Sequence, residues 1–117
     1  MKKILPSAKQ KKRYIVYQIV SDTPLKFDDV KRAINNGLKD FLGTLGLSIA
    51  NPIIMPFFEN NTGILKVSNK YLNEVKLALI LIKEINSKKV IFKNIYVSGL
   101  LNKAKEFLKG GQQYATN

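Results

Sequence analysis

"NPIIMPFFENNTGILKVS", residues 51–68, decides how this chain folds. Its first half is apolar enough for a buried strand, yet it carries Pro52 and Pro56. Proline has no N–H to give a neighbouring strand, and within sheets it is confined to edges. Residues 51–60 are therefore expected to form an edge strand. "ENNTG" (59–63) supplies a turn, and "ILKVS" (64–68) reads as the strand that returns from it, completing a hairpin.

Upstream, "RYIVYQIVS" (13–21) is rich in β-branched and aromatic residues and ends at the turn-forming "SDTP". Both of its faces are largely apolar, as in a central strand covered on each side. From Phe27 the apolar residues fall at Val30, Ile34, Leu38, Phe41, Leu42 and Leu45, which is helical spacing. Asp28 and Asp29 stand in the first turn, where the helix dipole favours acids. Gly46 suits the stop, and Gly37, inside the pattern, would admit a close approach to the sheet. Downstream, a second helix is predicted over about 70–86, with Asn69 as its cap. Its apolar residues, Leu72, Val75, Leu77 to Ile82 and Ile85, exceed one stripe. Such a helix is buried on more than one side or offers apolar surface to another protein, and Leu77 and Ile80 are the candidate interface residues. "NSKK" (86–89) turns the chain, "VIFKNIYVS" (90–98) is the last strand, and "SGLLNKAKEFLKGG" (98–111) is an amphipathic, cationic helix.

The order βαββαβ followed by a helix predicts an α+β fold. It is the ferredoxin-like or RNA-recognition-like sandwich, with a four-stranded antiparallel sheet and an added C-terminal helix. In that topology the first and third strands are central and the second is at an edge, where its prolines independently place it. The expected organisation is a basic arm (1–12), a single domain (13–109) and a flexible tail (110–117).

The 117 residues carry 20 Lys+Arg against 8 Asp+Glu, a formal charge of +12. A domain this small repels itself at that charge unless a polyanion neutralises it. Nucleic acid is the leading candidate, ahead of an anionic membrane surface. There is no cysteine and no histidine, which excludes disulfides, thiolate metal sites, Cys nucleophiles and the usual general base near neutral pH. "MKKILPSAKQ" has no apolar core before charge returns at Lys9, so it is not a secretory signal. "LALILI" (77–82) is far too short to span a bilayer. A soluble, cytoplasmic protein with no membrane contact is expected. No GxxxxGK[ST] phosphate loop occurs, and the turn "SDTPLK" lacks the glycine-rich anion loop of acylphosphatases, which share this element order. No catalytic residue and no metal site are expected.

The cations are distributed unevenly. Candidates for RNA contact are Lys9, Lys11, Lys12 and Arg13 in the arm, beside Lys2 and Lys3. Lys66, Lys88, Lys89 and Lys93 follow, then Lys103, Lys105 and Lys109 on the last helix. The arm enters the first strand and the last strand is expected beside it, so these groups are expected to form one connected surface. Phosphate contacts from such a surface give affinity with little sequence discrimination. Tyr14 and Tyr17 alternate to opposite faces and cannot form one stacking platform, and the third strand lacks the aromatic run of RNA-recognition motifs. RNA is thus expected to bind by charge and shape, away from the sheet face. Gly99 would turn the chain out of the last strand. Leu100, Leu101, Ala104 and Phe107 would pin the helix to the sheet, leaving its lysines toward phosphates.

"KRYIVYQIVSD", "FDDVKRAINNGLKDFLGTLGLS", "GILKVSNKYLNEVKLALILIKEI" and "NIYVSGLLNKAKEF" together resemble the archaeal ribonuclease P protein component 2 family. Order and spacing over roughly residues 12–108 carry the likeness rather than any one motif. The proline-rich second strand and the basic "KQKKRY" depart from the family pattern. The resemblance implies an RNA-recognition-like fold with added helices in a non-catalytic subunit of an endonuclease. The catalyst would be ribonuclease P RNA, which removes the 5′ leader of precursor tRNA with Mg²⁺, while the protein binds no cofactor itself. It would stabilise the active RNA and lower phosphate repulsion, pairing with ribonuclease P protein component 3 in a heterotetramer of two such pairs. Two other readings stay open. A ribosomal or other structural RNA-binding protein of the same topology would have the same charge but no dedicated protein partner. A ferredoxin-like small-molecule regulatory domain has no need of +12.

Overall fold

β-Branched and aromatic side chains carry Lys12–Val20 into an extended strand, β1. It opens the computed structural model, which describes residues 11–111. Helix α1 (Phe27–Ala50), strand β2 (Ile53–Glu59) and strand β3 (Thr62–Ser68) follow. A 3-10 turn (Asn69–Tyr71) leads into α2 (Leu72–Ile80). A two-residue hairpin, β4 (Glu84–Ile85) and β5 (Lys88–Lys89), then leads to β6 (Ile91–Ser98) and α3 (Leu101–Glu106), which ends in a wider turn, Phe107–Gly111. The main sheet is antiparallel in the order β2-β3-β1-β6. This is the ferredoxin-like arrangement with a C-terminal helix, and the proline-bearing strand lies at its edge. Asn60 and Asn61, both left-handed (φ 52° and 57°), make the two-residue turn between β2 and β3. Among the described residues no helix is long and apolar enough to cross a membrane. Most of the expected arm (residues 1–10) and most of the expected tail (112–117) lie outside the described residues.

Sheet alternation sends β1 side chains into two separate cores. Ile15, Tyr17 and Ile19 meet Val30, Ile34 and Leu38 of α1 and Val75, Ala78 and Leu79 of α2, with Leu65, Val67 and Phe92 beside them. On the opposite face Val16 and Ile64 meet Ala104 and Leu108. A central strand covered on both sides is what the apolar run 13–21 implies.

Four local expectations fail, each for a physical reason. α1 does not stop at Gly46. It breaks at Gly43 (φ 73°, ψ 177°), a conformation glycine alone adopts readily, and resumes to Ala50. Asn51 then caps it in the left-handed region, its N–H bonding to Leu47 O at 2.9 Å, while Gly46 is buried against Leu42 and Tyr71. The second helix ends at Ile80, not near 86. Leu81 and Ile82 close its last turn, and Ile85 belongs to the β4–β5 hairpin, whose turn residues Asn86 and Ser87 are left-handed. An unbroken apolar run has no periodicity to mark where a helix gives way to a buried turn. Asn69 does not cap it. The Ser68 hydroxyl accepts the Lys70 N–H at 3.3 Å and starts the 3-10 turn instead. The space at Gly37 is taken by Ile82, from the segment after α2, and not by the sheet.

Tyr17 is fully buried, and its hydroxyl has no hydrogen-bond partner among the described residues. An unpartnered buried hydroxyl is costly, so Tyr17→Phe is expected to raise the unfolding free energy by about 1 kcal/mol. Burial also pushes the phenol above its ordinary range by disfavouring the phenolate. The folded state therefore holds the proton while the unfolded chain releases it near pH 10, and wild-type stability falls as pH rises past that point. Urea titrations at pH 7 and pH 10.5 should show the advantage of Tyr17→Phe widening at the higher pH.

Candidate nucleic-acid interface

The second core builds the site. Ala104 and Leu108, four residues apart on one side of the C-terminal segment, are buried over Val16 and Ile64 in the middle of the sheet. Phe107 reaches across to β6 and stacks on Tyr96, with ring centroids 4.5 Å apart and planes 8° from parallel. Lys105 reaches the other way, to β2, where its Nζ stands 4.6 Å from the centroid of Phe57. Such a cation–π contact is worth about 0.5–1 kcal/mol where water still reaches it. Leu101 packs against the same cluster. Leu100 does not, being 60 % exposed. The expected pinning by Leu100 is therefore corrected: Leu101, Ala104, Phe107 and Leu108 hold the helix.

The exit from β6 also differs from expectation. Gly99 is not in the left-handed region. The turn is organised by the Ser98 hydroxyl, which accepts the Leu100 N–H at 3.0 Å. What Gly99 provides is room, since a Cβ there would stand 3.3 Å from Arg13 Nη1.

Strand register fixes the cations around α3. Lys66 lies opposite Tyr14, and Lys93 opposite Gln18. Lys12 shares the alternation of Tyr14 and Val16, and so points to the α3 side. Lys103 and Lys109 are exposed on the C-terminal segment, with Lys105 between them. Six cations thus share this face with two acids, Glu106 and, at the hairpin end, Glu59. Among the described residues none of the six is engaged in an ion pair. Arg13 has the opposite parity, that of Ile15 and Val67 in the first core, so it flanks this face without sharing it; its Nη1 donates to Lys12 O at 3.0 Å, and Lys11 precedes β1.

Lys88 and Lys89 do not join this surface. Because β1 and β6 are antiparallel, Tyr14 stands opposite Ser98 while Val20 stands opposite Ile91. The β5 lysines precede β6, so they lie beyond the far end of β1, roughly 25 Å from Arg13 at about 3.4 Å per residue. Lys89 is there paired across the small hairpin with Glu84. One connected surface is thus replaced by a main field around α3 and a separate pair. Lys9 lies outside the described residues.

The helix layer on the opposite side has another character. Leu77 and Ile80 are 48 % and 43 % exposed, with Leu81 beside them and Phe41, Leu45 and Ile49 exposed along α1. A groove of about 520 Å³ runs beside the helices, lined by Phe41 and Leu81, by the acids Asp29, Asp40 and Glu84, and by the cations Arg32 and Lys83. Arg32 is held at 3.2 Å by Asp29 there. Among the described residues, no three His, Cys, Asp or Glu side chains gather as a metal site would need.

Tyr14 and Tyr17 do point to opposite faces, as alternation requires. The aromatics not foreseen as a set are Phe57 and Tyr96, which share the α3 side with Tyr14. Tyr96 lies opposite Val16, immediately before the register shift at Val16/Tyr17. That bulge breaks simple odd–even counting along β6, which hides the pairing from inspection of the strand alone.

Residues 13–109 match the model of the Rpp14/Pop5 family. The ribonuclease P protein component 2 of Thermococcus kodakarensis is 38 % identical over 101 residues, covering 86 % of this chain and 84 % of that protein. The component 2 of Thermococcus gammatolerans is 39 % identical with the same coverage. That of Saccharolobus solfataricus is 38 % identical over 98 residues, 83 % of this chain and 68 % of its own length. A chain in the cryo-EM structure of yeast ribonuclease MRP shares the fold, with a TM-score of 0.64 over 92 % of both chains at 10 % identity.

Proposed function

We propose, from the premise that this chain belongs to the Rpp14/Pop5 family, that it is a protein subunit of ribonuclease P whose α3 face lies on the catalytic RNA. The observation that carries this is the local excess of positive charge around α3. Six cations stand there against two acids, whereas in the groove on the helix layer Asp29, Asp40 and Glu84 offset Arg32 and Lys83. A polyphosphate backbone is attracted more strongly to the first surface than to the second. Lysines on the sheet and on its covering helix present positive charge to folded RNA, offsetting repulsion where phosphates crowd. They read no base edges, as suits a subunit that supports an RNA shape.

Bond cleavage, the removal of the 5′ leader from precursor tRNA, belongs in this proposal to the RNA and the Mg²⁺ it binds. Among the described residues no three ligating side chains gather as a metal site would need, and the sequence contains no histidine. The exposed Leu77, Ile80 and Leu81 on the helix layer fit a protein neighbour, which we assign to ribonuclease P protein component 3, with two such pairs forming a heterotetramer. The assembly would act in the cytoplasm. Precursor-tRNA cleavage by the cognate RNA at moderate Mg²⁺, with and without this chain and component 3, tests the proposal. A rate gain that depends on this chain is expected, and none at all would overturn it. A structural RNA-binding protein without a dedicated partner would share the charged face but would not co-purify with component 3.

A further inference from the structure

We infer that the sheet face beneath α3 is a second, concealed RNA site, one that takes unpaired bases once α3 swings aside. Tyr14 and Tyr96 sit on adjacent strands as diagonal neighbours, since Tyr14 faces Ser98 and Val16 faces Tyr96. Diagonal pairs in antiparallel strands are roughly 7–8 Å apart. Phe57 flanks the same cluster from the edge strand. Lys66 stands directly opposite Tyr14 on one neighbouring strand, and Lys93 lies on the other. Aromatic planes interleaved with cations along one face are what single-stranded RNA binds, by stacking and by backbone charge.

α3 occupies this floor in the manner of such a ligand. Phe107 lies flat on Tyr96 as a base would, and the Lys105 ammonium covers Phe57. Its hold is weak. Ala104 and Leu108 are its only fully buried side chains, and among the described residues no hydrogen bond or ion pair ties Leu101–Glu106 to the sheet. A six-residue helix has little stability of its own, and this one ends in an irregular turn and Gly110–Gly111. Packing onto the floor, which RNA bases would replace, is what keeps it in place. The inference rests on the assignment of this face to RNA, and extends it from phosphates to bases.

The test uses the full chain with two probes, an eight-nucleotide oligouridylate and a twelve-base-pair RNA duplex, read by fluorescence anisotropy, with hydrogen exchange over residues 100–109. Wild-type protein should bind the oligouridylate, and the α3 amides should then exchange faster, while duplex binding leaves them unchanged. Tyr96→Leu should weaken oligouridylate binding about tenfold, the loss of one stacked base, and leave duplex binding intact. Phe107→Ala loosens the competitor, and should tighten oligouridylate binding several-fold. If oligouridylate binds while the α3 amides stay protected, or if Phe107→Ala weakens it, the concealed site does not exist. If the duplex binds and oligouridylate does not, the site is likewise excluded, but the assignment of the face to RNA survives. If neither binds, both fall. The hydrogen-exchange readout needs no variant, so a poorly folded Tyr96→Leu leaves the test decisive.

Discussion

Replacing Lys103, Lys105 and Lys109 together by alanine is expected to weaken binding of structured RNA roughly a hundredfold near 0.15 M salt. It should also flatten the log–log salt dependence by about three units. Each phosphate contact releases about 0.9 of a counter-ion from a duplex, so three contacts account for a slope change of about 2.7. Lys103 and Lys109 are exposed and Lys105 is half-buried, so none is needed to complete the core, and Ala104 and Leu108 keep the helix seated. The cation–π contact of Lys105 with Phe57 is lost as well, at a cost of about 0.5–1 kcal/mol, small enough for the variant to remain folded. The matched control is Lys88→Ala with Lys89→Ala. These two charges lie at the opposite end of β1, one of them beside Glu84. If RNA lies on the α3 face, removing them should leave the slope nearly unchanged. Filter binding across 50–400 mM salt separates the cases, and equal slopes for the two variants would remove α3 from the RNA surface.

The fold was legible because two independent constraints agree. Pro52 and Pro56 demand an edge, and the βαββαβ order puts the second strand at one. The double covering of β1 was legible for a similar reason, since both residue parities of 13–21 are apolar. What the sequence did not reveal lies where periodicity fails. The run from Leu77 to Ile82 is apolar throughout, so nothing in it marks the end of α2 at Ile80. The site was half legible. Composition located the cations but not their grouping, which depends on strand direction. Lys88 and Lys89 are close in sequence to Lys93 yet beyond the end of β1 distant from the arm. The aromatic floor of Tyr14, Phe57 and Tyr96 comes from three strands and is assembled only by register, with a bulge intervening. No single segment carries that signal.

Gly63→Ala is expected to cost about 3 kcal/mol, a large part of the roughly 5–15 kcal/mol that holds a domain of this size together. Gly63 occupies the inner strand β3, opposite Tyr17 on one side and Phe58 on the other. A Cβ there would collide with the Tyr17 hydroxyl, stand 2.6 Å from its Cζ and 3.1 Å from Phe58 Cδ1. The Gly63 backbone is not left-handed, so alanine meets no conformational penalty, and intrinsic strand preference favours it over glycine. The loss is therefore steric. Tyr17 cannot swing away, because it is fully buried, with Phe92 6.0 Å away ring to ring. A double-mutant cycle isolates the cause. Tyr17→Leu alone should destabilise by opening a cavity. In the Gly63→Ala background it should cost at least 1 kcal/mol less, because the smaller side chain makes room for the new methyl. Urea midpoints for the four proteins give the coupling directly, and strict additivity would show that the two residues do not compete for the same space. The neighbours of Gly63 link this packing to function. Ile64 and Lys66 follow it on β3 and face α3, so a strand pushed out at Gly63 displaces the floor on which the cationic helix rests. Gly63→Ala should accordingly weaken RNA binding at temperatures where the protein is still mostly folded, whereas Tyr17→Leu in the same background should recover part of it.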